Sequence, residues 1–143
     1  MKKRVSREAI VGNTMGYRIE GDGGPMRMAW VGSELYVSEI GFLRFDPPIL
    51  FLKSFESSAN WTYQGICESA TRSSKISAEI SQTSTKLKLS GVDHSTMLVG
   101  LKTKVNGADI ELKTYFERGI GVVRQEQWNN GLSVVYIEWI SGS

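Results

Sequence analysis

Apolar side chains recur at every second position along most of the chain, in short runs separated by Gly, Asn or Pro. No long stretch holds a 3.6-residue apolar period. This pattern predicts strands over roughly 3–11, 14–20, 26–31, 34–40, 60–68, 73–81, 85–90, 95–105, 108–117, 120–128 and 132–140. The alternation is plain where Ile76, Ala78 and Ile80 point one way and Lys75, Ser77, Glu79 and Ser81 the other, as in a half-exposed strand. The fold expected is all-β: an antiparallel meander forming a strongly curved sheet or an incomplete barrel.

Turn chemistry turns several of these strands into hairpins with a definite register. Asn106-Gly107 favours a two-residue type I′ turn, because both central positions need positive φ. Pairing Val105 with Ala108 sets Met97 opposite Phe116, Val99 opposite Thr114, Leu101 opposite Leu112 and Thr103 opposite Ile110 on one mostly apolar face. On the other face Lys104 meets Asp109 and Lys102 meets Glu111, opposite charges across the ladder. A slip of one residue would destroy both patterns. Gly32-Ser33 predicts a type II′ hairpin joining Met28 to Val37 and Trp30 to Leu35. Asn129-Asn130-Gly131 is read as a three-residue loop with Trp128 facing Leu132, which places Val123 beside Ile137, Gly121 beside Trp139 and Arg124 beside Tyr136, with Glu138 diagonal to the arginine.

Two segments interrupt the alternation. Residues 21–25, with three glycines and a proline, form a loop. Asp46-Pro47-Pro48 is read as a break between an N-terminal meander (1–45) and a C-terminal one (49–140) within a single domain, 1–143. Ile49 to Leu52 then forms a buried strand or a strap across the sheet, and a short helix near Lys53 to Ser58 is open.

Composition narrows the function classes. With 143 residues, 41% hydrophobic and 22% charged, the chain can bury one core without a metal or disulfide staple. Lys2, Lys3, Arg4 and Arg7 against Glu8 give the first eight residues +3 and leave −1 for the rest of the +2 total, so the body is nearly neutral and nucleic acid is a poor partner for it. The basic start is read as a solvated strand face. No apolar run approaches the roughly 20 residues of a membrane helix, and no signal-peptide core follows the basic start.

Candidate chemistry is sparse. Asp93-His94-Ser95 holds the residue types of a hydrolase triad, but in extended backbone His94 points away from its neighbours, so catalysis would need remote carboxylates or hydroxyls converging on it. His94 is the sole histidine and Cys67 the sole cysteine, which excludes a two-histidine metal site and an intrachain disulfide. Cys67 alternates with Trp61 and Tyr63 and is read as core. No cofactor motif is present. The glycine loop lacks the Gly-Lys-Ser/Thr signature and the strand-to-helix setting of a phosphate site.

The segments Pro47-Pro48-Ile49-Leu50-Phe51-Leu52, Trp61-Thr62-Tyr63 and Thr114-Tyr115-Phe116-Glu117-Arg118-Gly119-Ile120-Gly121-Val122-Val123, with the strand to Trp139, form a pattern across residues 47–140. It resembles a class of uncharacterised bacterial exported or lipoprotein-like β domains with an aromatic strand followed by a Gly-hydrophobic-Gly-hydrophobic-Val hairpin. The resemblance implies a curved antiparallel sheet and a cell-envelope location, and supplies no catalytic residues. In the last strand Val135, Ile137 and Trp139 on one face and Val134, Tyr136 and Ile140 on the other are apolar, so both faces should be covered. The function expected is a non-catalytic, envelope-associated binding domain for an apolar small molecule or a protein partner. Trp30, Tyr36, Trp61, Tyr63, Val134, Tyr136 and Ile140 are the candidate contacts. The alternatives are a homo-oligomerisation module and a small hydrolase using His94.

Overall fold

The computed structural model describes residues 4–11, 14–20, 25–40, 43–69, 72–105 and 107–138. They form eleven strands: β1 (Arg4–Val11), β2 (Thr14–Glu20), β3 (Met26–Val31), β4 (Glu34–Ile40), β5 (Leu43–Leu52), β6 (Ala59–Glu68), β7 (Ser73–Leu89), β8 (Val92–Val105), β9 (Ala108–Glu117), β10 (Gly121–Asn129) and β11 (Leu132–Glu138). Each pairs antiparallel with the next in one sheet, ordered β1 to β11, and the sheet does not close into a barrel. This is the all-β meander that the period of two predicts.

Curvature follows from where side chains meet. On a flat sheet β5 and β9, four strands apart, would lie about 19 Å from each other. The rings of Phe51 and Phe116 nevertheless pack edge to face with centroids 6.0 Å apart, so the sheet curls around its inner face. That face carries the main core, including Leu35, Val37, Ile49, Ile80, Val99, Leu101 and Leu112.

The Val105–Ala108 hairpin has the register expected, with Met97↔Phe116, Val99↔Thr114, Leu101↔Leu112 and Thr103↔Ile110, all buried. Across the outer face Lys104 lies 3.7 Å from Asp109 and Lys102 3.5 Å from Glu111. Gly107 has φ 84°, and Asn106 lies outside the described residues. The β3–β4 hairpin likewise pairs Met28 with Val37 and Trp30 with Leu35, with Gly32 at φ 63°.

The β10–β11 register differs from the one expected. Asn130 (φ 50°) and Gly131 (φ 80°) both take left-handed backbone, giving a two-residue turn that pairs Asn129 with Leu132 and Trp128 with Ser133. A bulge at Val134 then moves the pairing one residue further, so Arg124 faces Glu138 and Ile137 faces Gln125. Trp139 lies outside the described residues.

Two expected breaks are absent. Gln82-Thr83-Ser84 does not divide β7, whose 17 residues run through to a Ser90-Gly91 turn, so β8 begins at Val92 and not at 95. Asp46-Pro47-Pro48 lies inside β5, in a bulge where β5 has three residues more than β4 needs between Glu39↔Arg44 and Val37↔Ile49. Proline is tolerated in a bulge because no ladder donor is lost there. The β5–β6 ladder does end at Asp46↔Ile66. Beyond it, side chains of β6 replace the missing backbone partners: the Tyr63 hydroxyl donates to the Pro47 carbonyl at 2.5 Å and the Trp61 indole N–H to the Leu50 carbonyl at 2.8 Å.

Residues 53–58 form no helix but a strap across one end of the curl. Gln82 holds it from the inner face: its Oε1 accepts from the Lys53 N–H (2.8 Å) and its Nε2 donates to the Ser54 (3.1 Å) and Ser57 (2.6 Å) carbonyls. Phe55 of the strap stacks on Trp30 with centroids 6.2 Å apart and lies under the Arg118 guanidinium.

Candidate functional site

The predicted contact residues that are described lie on β3, β4, β6 and β11. Trp61 and Tyr63 face the inner side of β6 and are held by the hydrogen bonds that close the β5–β6 gap. Tyr63 also covers Gly65, where a Cβ would stand 2.3 Å from the tyrosine Oη. Its phenol is pushed up to about 12, by burial first and then by the charges of Asp46 and Cys67. Tyr36 is half-buried on β4, 3.4 Å from the Glu34 carboxylate. Trp30 rests against Phe55, and Val134 is the bulged residue of β11, 51% exposed. Tyr136 pairs through its backbone with Glu126, its side chain lies outside the described set, and Ile140 lies outside the described residues.

Large buried side chains, Phe51, Met97 and Phe116 among them, occupy the inner face. Of the last-strand residues expected to be covered on both faces, Val134 is half exposed, the side chains of Val135, Tyr136 and Ile137 lie outside the described set, and Trp139 and Ile140 lie outside the described residues; β10 is buried on both faces, at Val122, Val123, Gln125, Glu126 and Gln127. A second small core of Leu87, Leu89, Val123 and Tyr115 lies on the outer face near the β7–β8 tip. Beside it Arg124 pairs with Glu126 at 3.3 Å, and the guanidinium lies 5.3 Å from the centre of the Tyr115 ring.

His94 does meet a remote carboxylate. β8 and β9 bring its Nδ1 to 2.7 Å from Glu117 Oε1, with the two side chains 21% and 16% exposed. Among the described residues no hydroxyl or thiol hydrogen-bonds the imidazole. The nearby Thr96 hydroxyl donates to the Thr85 carbonyl, and Cys67 is buried on the inner side of β6 with its thiol pushed up to about 11 by burial and then by Glu68. The contact ties the start of β8 to the end of β9. No group of three His, Cys, Asp or Glu side chains among the described residues could hold a metal ion.

A trough lies on the outer face of β6–β10. Two depressions of about 960 and 510 Å³ share Thr62, Glu79, Lys102 and Glu111. The strand registers explain its shape. Thr62, Glu79, Lys102, Glu111 and Trp128 are consecutive cross-strand partners and form one wall. The next row, Asn60, Ser81, Gly100 and Lys113, has a glycine and a serine at its centre, so the floor dips there. Lys102 and Lys113 both reach Glu111, at 3.5 and 3.8 Å. Sequence reading placed Lys102 and Glu111 as a cross-strand pair but not as part of a cavity.

The open end of the sheet is the second feature of interest. β11 has no strand on its far side among the described residues, and Leu132 (72% exposed) and Val134 project from it into solvent. The chain matches no protein-family model, no curated protein and no solved structure, so its reading rests on this geometry.

Proposed function

We propose that this chain is a non-catalytic binding domain that engages a protein, in the first instance a second copy of itself, through its β11 end. The observation that carries the reading is the unclosed sheet whose last strand exposes Leu132 and Val134. An edge strand presents unpaired backbone groups, and exposed aliphatic side chains beside them favour association. The bulge at Val134 interrupts a regular ladder. Contact through side chains on either side of it therefore fits better than one continuous added strand. Of the two ligand classes expected from sequence, a protein partner is favoured over an apolar small molecule because the inner face is already filled by Phe51, Phe116 and their neighbours. A cell-envelope location, implied by the resemblance of residues 47–140 to exported domains, is part of the proposal.

Light scattering across a concentration series, with hydrogen exchange of the β11 amides, tests it. Wild type should dimerise with rising concentration and protect residues 132–138, and Val134→Lys should remain monomeric. A concentration-independent monomer with unprotected β11 amides would overturn the reading.

A further inference from the structure

We propose that the outer trough binds a neutral, hydroxyl-rich chain, an oligosaccharide, laid across β6–β10 at right angles to the strands. The floor of this site lies on β6–β9, and only its Trp128 end, with Gly131, adjoins the β10–β11 turn.

Shape gives the first argument. The floor row is low because Gly100 carries no side chain and Ser81 a short one, while Glu79, Lys102 and Glu111 rise along one side. Five strands at about 4.8 Å spacing make a furrow roughly 19 Å long, the form of an extended chain and not of a compact cofactor. Backbone amides in the middle of a sheet are already paired, so an occupant must be held by side chains. That excludes a peptide bound by strand addition.

Charge gives the second. Lys102 and Lys113 both contact Glu111, and Glu79 stands directly across from Lys102, so the furrow has alternating signs and little net field. A polyanion gains affinity from clustered unpaired cations; here Lys102, Lys104 and Lys113 each lie within 4 Å of a carboxylate, which leaves Lys75 alone at the far end of the larger depression. Hydroxyl groups, which donate and accept, suit a wall of alternating ammonium and carboxylate groups. The half-buried Trp128 indole ends the shared row on the side of the larger depression and is an aromatic surface for a sugar ring that crosses the row at β10.

Gly100 supplies a variant that fills the floor while leaving the inner core untouched. A Cβ there meets only the rotatable Ser81 Oγ, at 3.3 Å, and threonine suits a strand. The test titrates isotope-labelled protein with cello-, malto- and chito-oligosaccharides, following amide shifts, with a heparin fragment as the anionic comparator. The expected result is saturable shifts confined to Asn60–Thr62, Glu79–Ser81, Gly100–Lys102, Glu111–Lys113 and Glu126–Trp128 for at least one neutral oligosaccharide. Gly100→Thr, with an unchanged thermal midpoint, should weaken binding at least tenfold. Absence of shifts with all neutral oligosaccharides at millimolar concentration would overturn the inference, as would equal binding by folded Gly100→Thr or tighter, salt-sensitive binding of heparin. If Gly100→Thr fails to fold, Glu111→Gln, which removes a carboxylate both lysines share, replaces it with the same expected loss, and unaltered binding by that variant would overturn the inference.

Discussion

Gln82→Leu is predicted to loosen the strap and to destabilise the whole domain. Gln82 is 1% exposed and points from β7 into the inner face, where its amide makes three hydrogen bonds to the backbone of residues 53–57. Each such bond contributes about 1 kcal/mol net, and a buried group left without a partner costs about 1–3 kcal/mol. The Ser57 carbonyl belongs to an exposed residue and can turn to water, whereas Lys53 and Ser54 are half-buried. Leucine recovers about 1 kcal/mol through its own burial. The sum is a loss of about 2–3 kcal/mol, a fall in Tm of roughly 6–10 °C for a domain of this size. Urea unfolding and hydrogen exchange measure the two parts: the midpoint should fall, and the amide of Lys53 should lose its protection first. Gln82→Glu discriminates further. It keeps the acceptor for the Lys53 N–H but sets a carboxylate against the Ser54 and Ser57 carbonyls, so it should be less stable than Gln82→Leu at neutral pH. Its carboxyl is raised in the folded state, so stability is fullest below the unfolded carboxyl pKa of about 4.3 and declines as pH rises through the folded value. A Gln82→Leu protein within about 0.5 kcal/mol of wild type, with strap exchange unchanged, would refute the reasoning.

The pocket around Tyr63 yields two more expectations. Tyr63→Phe loses the hydrogen bond to the Pro47 carbonyl, about 1 kcal/mol at neutral pH by denaturant midpoint. Because the phenol is raised from 10.0 to about 12, its contribution is complete below pH 10 and is lost as pH climbs through 12, so the variant should show a shallower alkaline decline. Gly65→Ala sets a Cβ 2.6 Å from the Tyr63 Cζ and 2.8 Å from the Asp46 carbonyl oxygen, and should cost about 3 kcal/mol or more, detectable as poor soluble yield or a large Tm loss. In contrast, a double-mutant cycle on Lys104 and Asp109, both well exposed, should give a coupling of no more than about 0.5 kcal/mol.

Registers were legible wherever two independent constraints agreed. At Asn106-Gly107 the dipeptide named the turn, while the apolar face and the charge pairs each demanded the same alignment. At residues 129–131 the same dipeptide chemistry is present in Asn130-Gly131, but the preceding Asn129 makes a three-residue loop an equally good fit to the sequence. Asparagine tolerates left-handed backbone nearly alone among side-chain-bearing residues, and Asn130 uses that tolerance. The turn rule applied consistently would have paired Asn129 with Leu132. The bulge at Val134 could not have been found that way, because an inserted residue among Val134, Val135 and Ile137 leaves an apolar pattern on either alignment. Pro47-Pro48 misleads for a related reason: proline reports only its own missing N–H, whereas continuity here depends on donors to the β5 carbonyls, which come from Tyr63 and Trp61, sixteen and eleven residues from their acceptors.

The trough was hidden by a different limit of the same signal. Alternation along a strand says which side chains leave the core, and it assigned Lys75, Ser77, Glu79 and Ser81 correctly to the outer face. It does not say whether that face is convex. A sheet that curls across its strands can still be hollow along them, because strand twist accumulates over the length of β7 and β8. The switch of burial from Gln82 on the inner side to Leu87 and Leu89 on the outer marks where that twist has turned the long hairpin over. The same twist therefore ends the main core near Gln82, builds the small core around Tyr115 and hollows the outer face between them, beside Gly100. Shortening β7 and β8 together at the Ser90-Gly91 end would remove Leu87, Leu89 and the His94–Glu117 contact while sparing the row from Thr62 to Trp128. A trough that still bound its ligand after that change would place its origin in the registers of β6–β9, and one that lost it would place the origin in the twist.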